Sequence, residues 1–131
     1  MVCYEIEEMM IRHQDILPLP RKIDLEPTIN CNFKCVMCQR TYWKRKAQDM
    51  NLEQFKQVLS NFPDLQKIKI QGIGEPLLNK YFFEMIAFAK KRMIYVSTYT
   101  NGSLLHLDEN AYKLMQSGID LIRVSIDGAK K

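Results

Sequence analysis

The sequence has no long apolar run. Nothing in its 131 residues approaches the ~20 consecutive apolar positions that a bilayer-spanning helix needs, so no membrane partner is expected. It has only two histidines, His13 and His106, and neither is close in sequence to the cysteines. No sign of charge dominates: 19 Lys and Arg stand against 15 Asp and Glu, a net charge of +4. That excess is compatible with an anionic ligand and too small to argue for nucleic acid. The N-terminal "MVCYEIEEMMIRHQDILPLP" carries acidic residues where an export signal is basic, and it lacks an uninterrupted apolar segment. The expected location is therefore cytoplasmic. In a reducing cytoplasm, clustered cysteines point to metal or redox chemistry rather than to disulfides. No internal repeat, low-complexity tract or flexible linker is visible. An apolar content of 47% and a charged content of 26% are ordinary for a globular protein. The length suffices for one domain with a real core.

Residues 1–22 read as a lead-in closed by Pro18 and Pro20, and residues 23–131 as a single domain built on a regular alternation. "KIDLEPTI" (22–29) predicts a strand with an irregular end at Pro27. Asn51 is the expected N-cap of a helix, Gln54 its capping-box partner, and Met50 with Phe55 the hydrophobic staple. Leu52, Phe55, Val58, Leu59 and Phe62 lie on one face of that helix, and Pro63 stops it. "QKIKIQ" (66–71) predicts a second strand, "YFFEMIAFAKK" (81–91) an apolar helix with a basic last turn, and "MIYVSTYT" (93–100) a third strand. Asp108 is the expected cap of a third helix, with Leu107 and Tyr112 as its staple and Gly118 just past its end. "IDLIRVSID" (119–127) predicts a fourth strand. The order β-α-β-α-β-α-β implies a parallel α/β sheet with right-handed crossover helices. In such sheets the chemistry gathers at the C-terminal ends of the strands. The cysteines, "GIGEP", "TNG" and "VSID" all follow or close strands, so all four should share one end.

Three of the four cysteines fall in "INCNFKCVMCQR", at positions 31, 35 and 38, spaced C-x3-C-x2-C. One loop with this spacing can wrap a compact object and present three sulfurs to it. Zinc usually draws paired C-x2-C knuckles from two places, and no second pair exists here. A 4Fe–4S cube has four iron corners; three cysteines would hold three and leave one iron open to a ligand. The plainer alternatives are a zinc site or three buried structural thiols, since free cysteine packs as a small hydrophobe. Cys3 lies outside every motif and reads as a plain thiol. "QRTYWKRK" (39–46) is basic with two aromatics; it reads as a solvated loop or as a guide for an acidic or peptide substrate.

C-x3-C-x2-C after the first strand of a βα repeat resembles the radical S-adenosylmethionine (radical SAM) superfamily. "GIGEP" after strand two resembles that family's Gly-Gly-Glu-Pro segment, with Ile73 in place of the second glycine. "TNG" after strand three and "VSIDG" at strand four resemble the branch that carries SPASM or twitch C-terminal domains. The resemblance runs from about Leu25 to Gly128. It implies a partial, TIM-like (β/α) barrel of about four parallel strands, lacking the last two βα units.

The resemblance also implies site roles. Cys31, Cys35 and Cys38 would ligate a 4Fe–4S cluster, and S-adenosylmethionine would chelate its fourth iron. The segment Gly72, Gly74, Glu75 and Pro76 would lie against the methionine moiety, its glycines allowing close backbone approach. Glu75 would orient the methionine ammonium or brace the turn. Ser125 and Asp127 would meet the ribose hydroxyls, although Asp127-Gly128 also suits a simple turn. Asn101 would face the same cavity or only supply turn geometry beside Gly102. Met37 stands where the family often has an aromatic residue whose backbone meets the adenine. No protein side chain is assigned as catalytic, because the cofactors carry the hard chemistry.

The implied function is reductive cleavage of S-adenosylmethionine to a 5′-deoxyadenosyl radical, in peptide, protein or cofactor modification, by a longer enzyme of which this chain is a part. The alternative is a non-catalytic iron–sulfur or zinc module completed by another chain. The partners implied are a substrate such as a peptide or protein, a reductant such as flavodoxin or ferredoxin, and a second chain completing the barrel. Residues 1–131 alone are expected to have little or no turnover.

Overall fold

The computed structural model describes residues 18–43, 46, 48–107 and 109–126. Cys3, Asp108, Asp127 and Gly128 lie outside the described residues. Among the described residues, four strands alternate with three α-helices: β1 (Lys22–Leu25), α1 (Leu52–Ser60), β2 (Lys67–Ile70), α2 (Phe82–Lys91), β3 (Tyr95–Thr100), α3 (Asn110–Gln116) and β4 (Leu121–Val124). The strands pair in parallel in the order β1-β2-β3-β4. Sequential order with right-handed crossovers puts every helix on the same face of the sheet. That is the wall of a TIM-like barrel rather than a doubly wound sheet, whose reversal of strand order places helices on both faces.

The helix-covered face holds the core. Leu25, Ile68, Ile70 and Val96 from the strands pack with Phe55 and Leu59 of α1 and with Phe82, Met85, Ile86 and Ala89 of α2. Each large side chain removed from water here is worth about 1.5–3 kcal/mol. The opposite face is charged and aromatic. Lys69 pairs with Asp24 at 2.9 Å, Lys67 lies 5.3 Å from the Tyr95 ring centre, and the Arg123 guanidinium lies 5.2 Å from that of Tyr99.

Local signals placed α1 and the end of α3 well, but not the start of α3, where the N-cap is Glu109, left-handed at φ 57° and without a side-chain cap bond, and where Leu107 and Tyr112 are exposed. Asn51 Oδ1 accepts the Gln54 N–H at 2.8 Å, and Gln54 Oε1 accepts the Asn51 N–H at 2.9 Å, which completes the capping box of α1. Met50 packs against the core that contains Phe55. Carbonyls at and just past the end of α1 are taken by a distant residue: Arg92 donates to Leu59 O at 2.7 Å and to Phe62 O at 3.0 Å. Gly118 takes the left-handed conformation just after α3, with φ 74°, as its place past the helix end predicts.

Strand ends differ from expectation. β1 stops at Leu25, not Ile29. Pro27 has no N–H to give, and its carbonyl accepts from the Met50 N–H at 2.8 Å and the Asn79 side chain at 2.7 Å instead of a neighbouring strand. β3 begins at Tyr95, because Met93 turns left-handed, φ 57°, to close α2. β4 ends at Val124, although Ser125 still donates its N–H to Thr100 O at 2.9 Å.

Candidate metal and cofactor site

The segment from β1 to the cysteines is fastened before the first thiol is reached. The Asn30 N–H donates to Thr28 Oγ1 at 2.9 Å, its side chain donates to Asp49 at 2.9 Å, and Thr28 donates its hydroxyl to the same carboxylate. Thr28 and Asp49 also form an antiparallel bridge. Beyond the loop, a short 3-10 turn, Gln39–Tyr42, ties it back on itself. Arg40 Nε donates to Ile29 O at 2.6 Å, Thr41 Oγ1 to Cys35 O at 2.9 Å, and the Tyr42 hydroxyl to Val36 O at 2.9 Å. Three residues of the "QRTYWKRK" stretch thus hold the cysteine loop in shape rather than merely face solvent.

The "GIGEP" segment after β2 is pressed against that same loop. A Cβ on Gly74 would run into the carbonyl oxygens of Thr28 and Asn30, and one on Gly72 would run into the Glu26 side chain. At Gly74 the obstacle is backbone, so the missing side chain is required by the chain's own packing; at Gly72 it is only the movable end of Glu26. Glu75 donates its N–H to Asn30 O at 2.7 Å. Its carboxylate, 2% exposed, accepts from the Thr100 hydroxyl at 2.7 Å, the Asn101 N–H at 2.8 Å and the Leu77 N–H at 3.3 Å. Buried acceptors need such partners. The carboxylate braces the ends of β2 and β3, and buried Pro76 opens a 3-10 turn immediately after it.

The "TNG" turn completes the cradle. Asn101 Oδ1 accepts from the Ser103 N–H at 2.9 Å and its hydroxyl at 2.6 Å. Asn101 Nδ2 donates to Asn32 Oδ1 at 2.9 Å and lies 3.9 Å from Cys31 Sγ. Asn32 Nδ2 in turn donates to Ser103 Oγ at 2.7 Å. Gly102, φ 75°, makes the turn possible.

These pieces enclose an open cavity of about 700 Å³ at the C-terminal end of the sheet. Cys31, Cys35 and Cys38 form one wall, with Gly72, Gly74 and Glu75 beside them. Asn101 and Ser125 also line it. Pro76 is buried and does not line it, and Met37, 75% exposed, does not line it either. Tyr99, which was not singled out in the sequence, also lines the cavity. Its signal was present as the alternate face of β3. Asn79 was likewise missed; it is buried and donates to both Pro27 O and Met50 O, at 2.7 and 2.8 Å. A separate cavity of about 800 Å³ between the β1 exit and α1 contains none of the cysteines.

The three thiols line one cavity with room for a multi-atom group, and the donor set among the described residues, three thiols and no histidine, suits a cube that takes one thiolate at each of three corners.

A parallel barrel wall with three loop cysteines at its C-terminal edge defines an α/β protein built to hold a cofactor at its strand ends. The chain belongs to the Radical SAM superfamily, whose model matches residues 25–131. Membership implies a 4Fe–4S cluster and S-adenosylmethionine as cofactors. The tungsten-containing aldehyde ferredoxin oxidoreductase cofactor-modifying protein of Pyrococcus furiosus is 38% identical over 106 residues, covering 79% of this chain and 30% of that protein. Mycofactocin maturase MftC of Mycolicibacterium smegmatis is 30% identical over 114 residues, covering 86% of this chain and 29% of that one. Among solved structures, BtrN in complex with AdoMet and 2-DOIA superposes with a TM-score of 0.71 at 26% identity, over 88% of this chain and 49% of that one. The chain thus spans about a third of the length of these curated relatives and half of that structure. Among the described residues, no helix is long and apolar enough to cross a membrane.

Proposed function

We propose that this chain carries the cluster-binding and S-adenosylmethionine-binding part of a radical enzyme that modifies a cofactor or a peptide. One observation supports this most: Cys31, Cys35 and Cys38 share a single cavity with the glycine-containing end of β2, Asn101 and Ser125. Cys31, Cys35 and Cys38 would hold the cluster, and the chemistry it would supply when reduced is cleavage of the S-adenosylmethionine C–S bond to a 5′-deoxyadenosyl radical. The protein's part is to hold and shield. The three cysteines hold the cluster and leave one iron open. Gly72, Ile73 and Gly74 offer backbone at the cavity wall for the methionine moiety, and Glu75 keeps that wall rigid. Ser125 offers a hydroxyl to the ribose diol, with Asp127 following it in sequence. Met37 and Pro76 belong to the loop and turn that frame the cavity.

The relatives named as a cofactor-modifying protein and a maturase favour the same kind of chemistry for the whole protein. Turnover calls for a reductant of the flavodoxin or ferredoxin kind and for the remaining barrel wall, from further chain or from a second chain.

Anaerobic reconstitution with iron and sulfide tests the reading. A brown protein is expected, with a reduced EPR spectrum that changes on adding S-adenosylmethionine. A colourless protein holding stoichiometric zinc would overturn it. A brown protein indifferent to S-adenosylmethionine would reduce it to a cluster module.

A further inference from the structure

The three thiols are not equivalent. Cys31 Sγ faces two N–H donors: the Phe33 backbone at 3.4 Å and the Asn101 side chain at 3.9 Å. Among the described residues, the sulfurs of Cys35 and Cys38 accept none. The Asn101 amide is also aimed rather than loose. Its backbone N–H is held by Glu75 at 2.8 Å, its Oδ1 by Ser103, and its Nδ2 by Asn32, the residue next to Cys31. A closed ring, Asn101 to Asn32 to Ser103 and back to Asn101, therefore sets the turn after β3 against the first cysteine.

We infer that Asn101 is a positioning residue for the cluster: its Nδ2–H donates to the Cys31 thiolate, fixes that corner, and makes it electronically distinct from the other two. An N–H donor draws electron density from a thiolate. It favours the reduced cluster, which carries the extra negative charge, and so raises the reduction potential. This rests on the cluster reading above and deepens it.

The alternative role for Asn101 is turn geometry alone, which uses its Oδ1 as acceptor for the Ser103 N–H. Asn101→Ser separates the two roles. A serine hydroxyl can still accept in a turn of this kind, but it is neutral, too short to reach Cys31, and has no amide to give. After anaerobic reconstitution, Asn101→Ser is expected to load the same iron per chain as the unmodified protein and to have a more negative midpoint potential. Asn101→Gln, which keeps an amide donor, should move the potential back toward the unmodified value. Equal iron with unchanged potential in Asn101→Ser would overturn the inference and leave the cluster reading intact. Should Asn101→Ser fail to load, the unmodified chain decides. With 15N in its asparagine side chains, its reduced cluster should show hyperfine coupling to one amide nitrogen; no such coupling overturns the inference. An unmodified chain that takes up no cluster at all overturns both readings.

Discussion

The carboxylate of Glu75 accepts the backbone N–H of Asn101 at 2.8 Å while the backbone of Glu75 itself donates to Asn30 O at 2.7 Å. One residue at the end of β2 thereby links the segment that leads into the cysteine loop with the turn that closes over it. The bond to Asn30 runs through main chain, so it survives substitution. The bonds to Asn101 and Thr100 run through the side chain.

Glu75→Ala should leave the Thr100 O–H and the Asn101 N–H without an acceptor, although Thr100 Oγ1 still accepts the Gly102 N–H, at a cost of about 2–4 kcal/mol. Glu75→Gln should cost less, about 1–2 kcal/mol, because one carbonyl oxygen remains to accept. Urea unfolding measures both. Amide exchange at Asn101 should rise in each, and an unchanged exchange rate would show that the brace does not hold the turn.

Cys35→Ala should abolish cluster loading, from about four irons per chain to nearly none. Cys3→Ala should leave it unchanged, since Cys3 lies outside the motif. Iron and sulfide analysis after anaerobic reconstitution reads the difference; equal loss in the two variants would mean that the ligand set is wrong.

Met93 is 91% exposed and left-handed, φ 57°. Its side chain packs little and its backbone is strained, so Met93→Gly should stabilise the protein by about 0.5–1 kcal/mol. A raised thermal midpoint is the readout. A fall of similar size would mean that the entropy lost by glycine on folding outweighs the relief of strain.

Asp120 supplies a pH-dependent contribution. Burial pushes its carboxyl up. The Lys90 ammonium at 2.7 Å and the Val96 N–H at 2.7 Å oppose this and hold it below the ordinary carboxylate range. A carboxyl depressed on folding stabilises the protein above its unfolded pKa of about 3.9, and that contribution is lost as pH falls through the lower folded value. Asp120→Asn should therefore lower stability by on the order of 1 kcal/mol at neutral pH. Its deficit should shrink steadily below about pH 4. A deficit that is the same at pH 7 and pH 3, in paired denaturation curves, would assign the loss to packing and not to charge.

Much of the fold was legible from local patterns. The capping box at Asn51 and Gln54, the glycine after α3 and the alternation of "QKIKIQ" are signals a few residues long, and they act through neighbours in the chain. The grouping of the motifs was legible too, because a parallel sheet with crossovers puts every strand's C-terminal end on one side. Strand lengths were less so. β1 was expected to reach Ile29, but Pro27 and Thr28 found partners at Met50, Asn79 and Asp49, which no local pattern announces.

The cysteine spacing, the glycines and the strand order follow from residue types and short-range geometry, so the chain could be placed in its class before any distance was known. How these residues pack against one another was decided by contacts between segments far apart in sequence. Gly74 makes room for the carbonyls of Thr28 and Asn30, Glu75 locks Asn101, and Asn101 approaches Cys31 across 70 positions of chain. Periodicity and capping depend on neighbours a turn away, whereas a buried acceptor takes whichever donor the folded chain brings within about 3 Å of it.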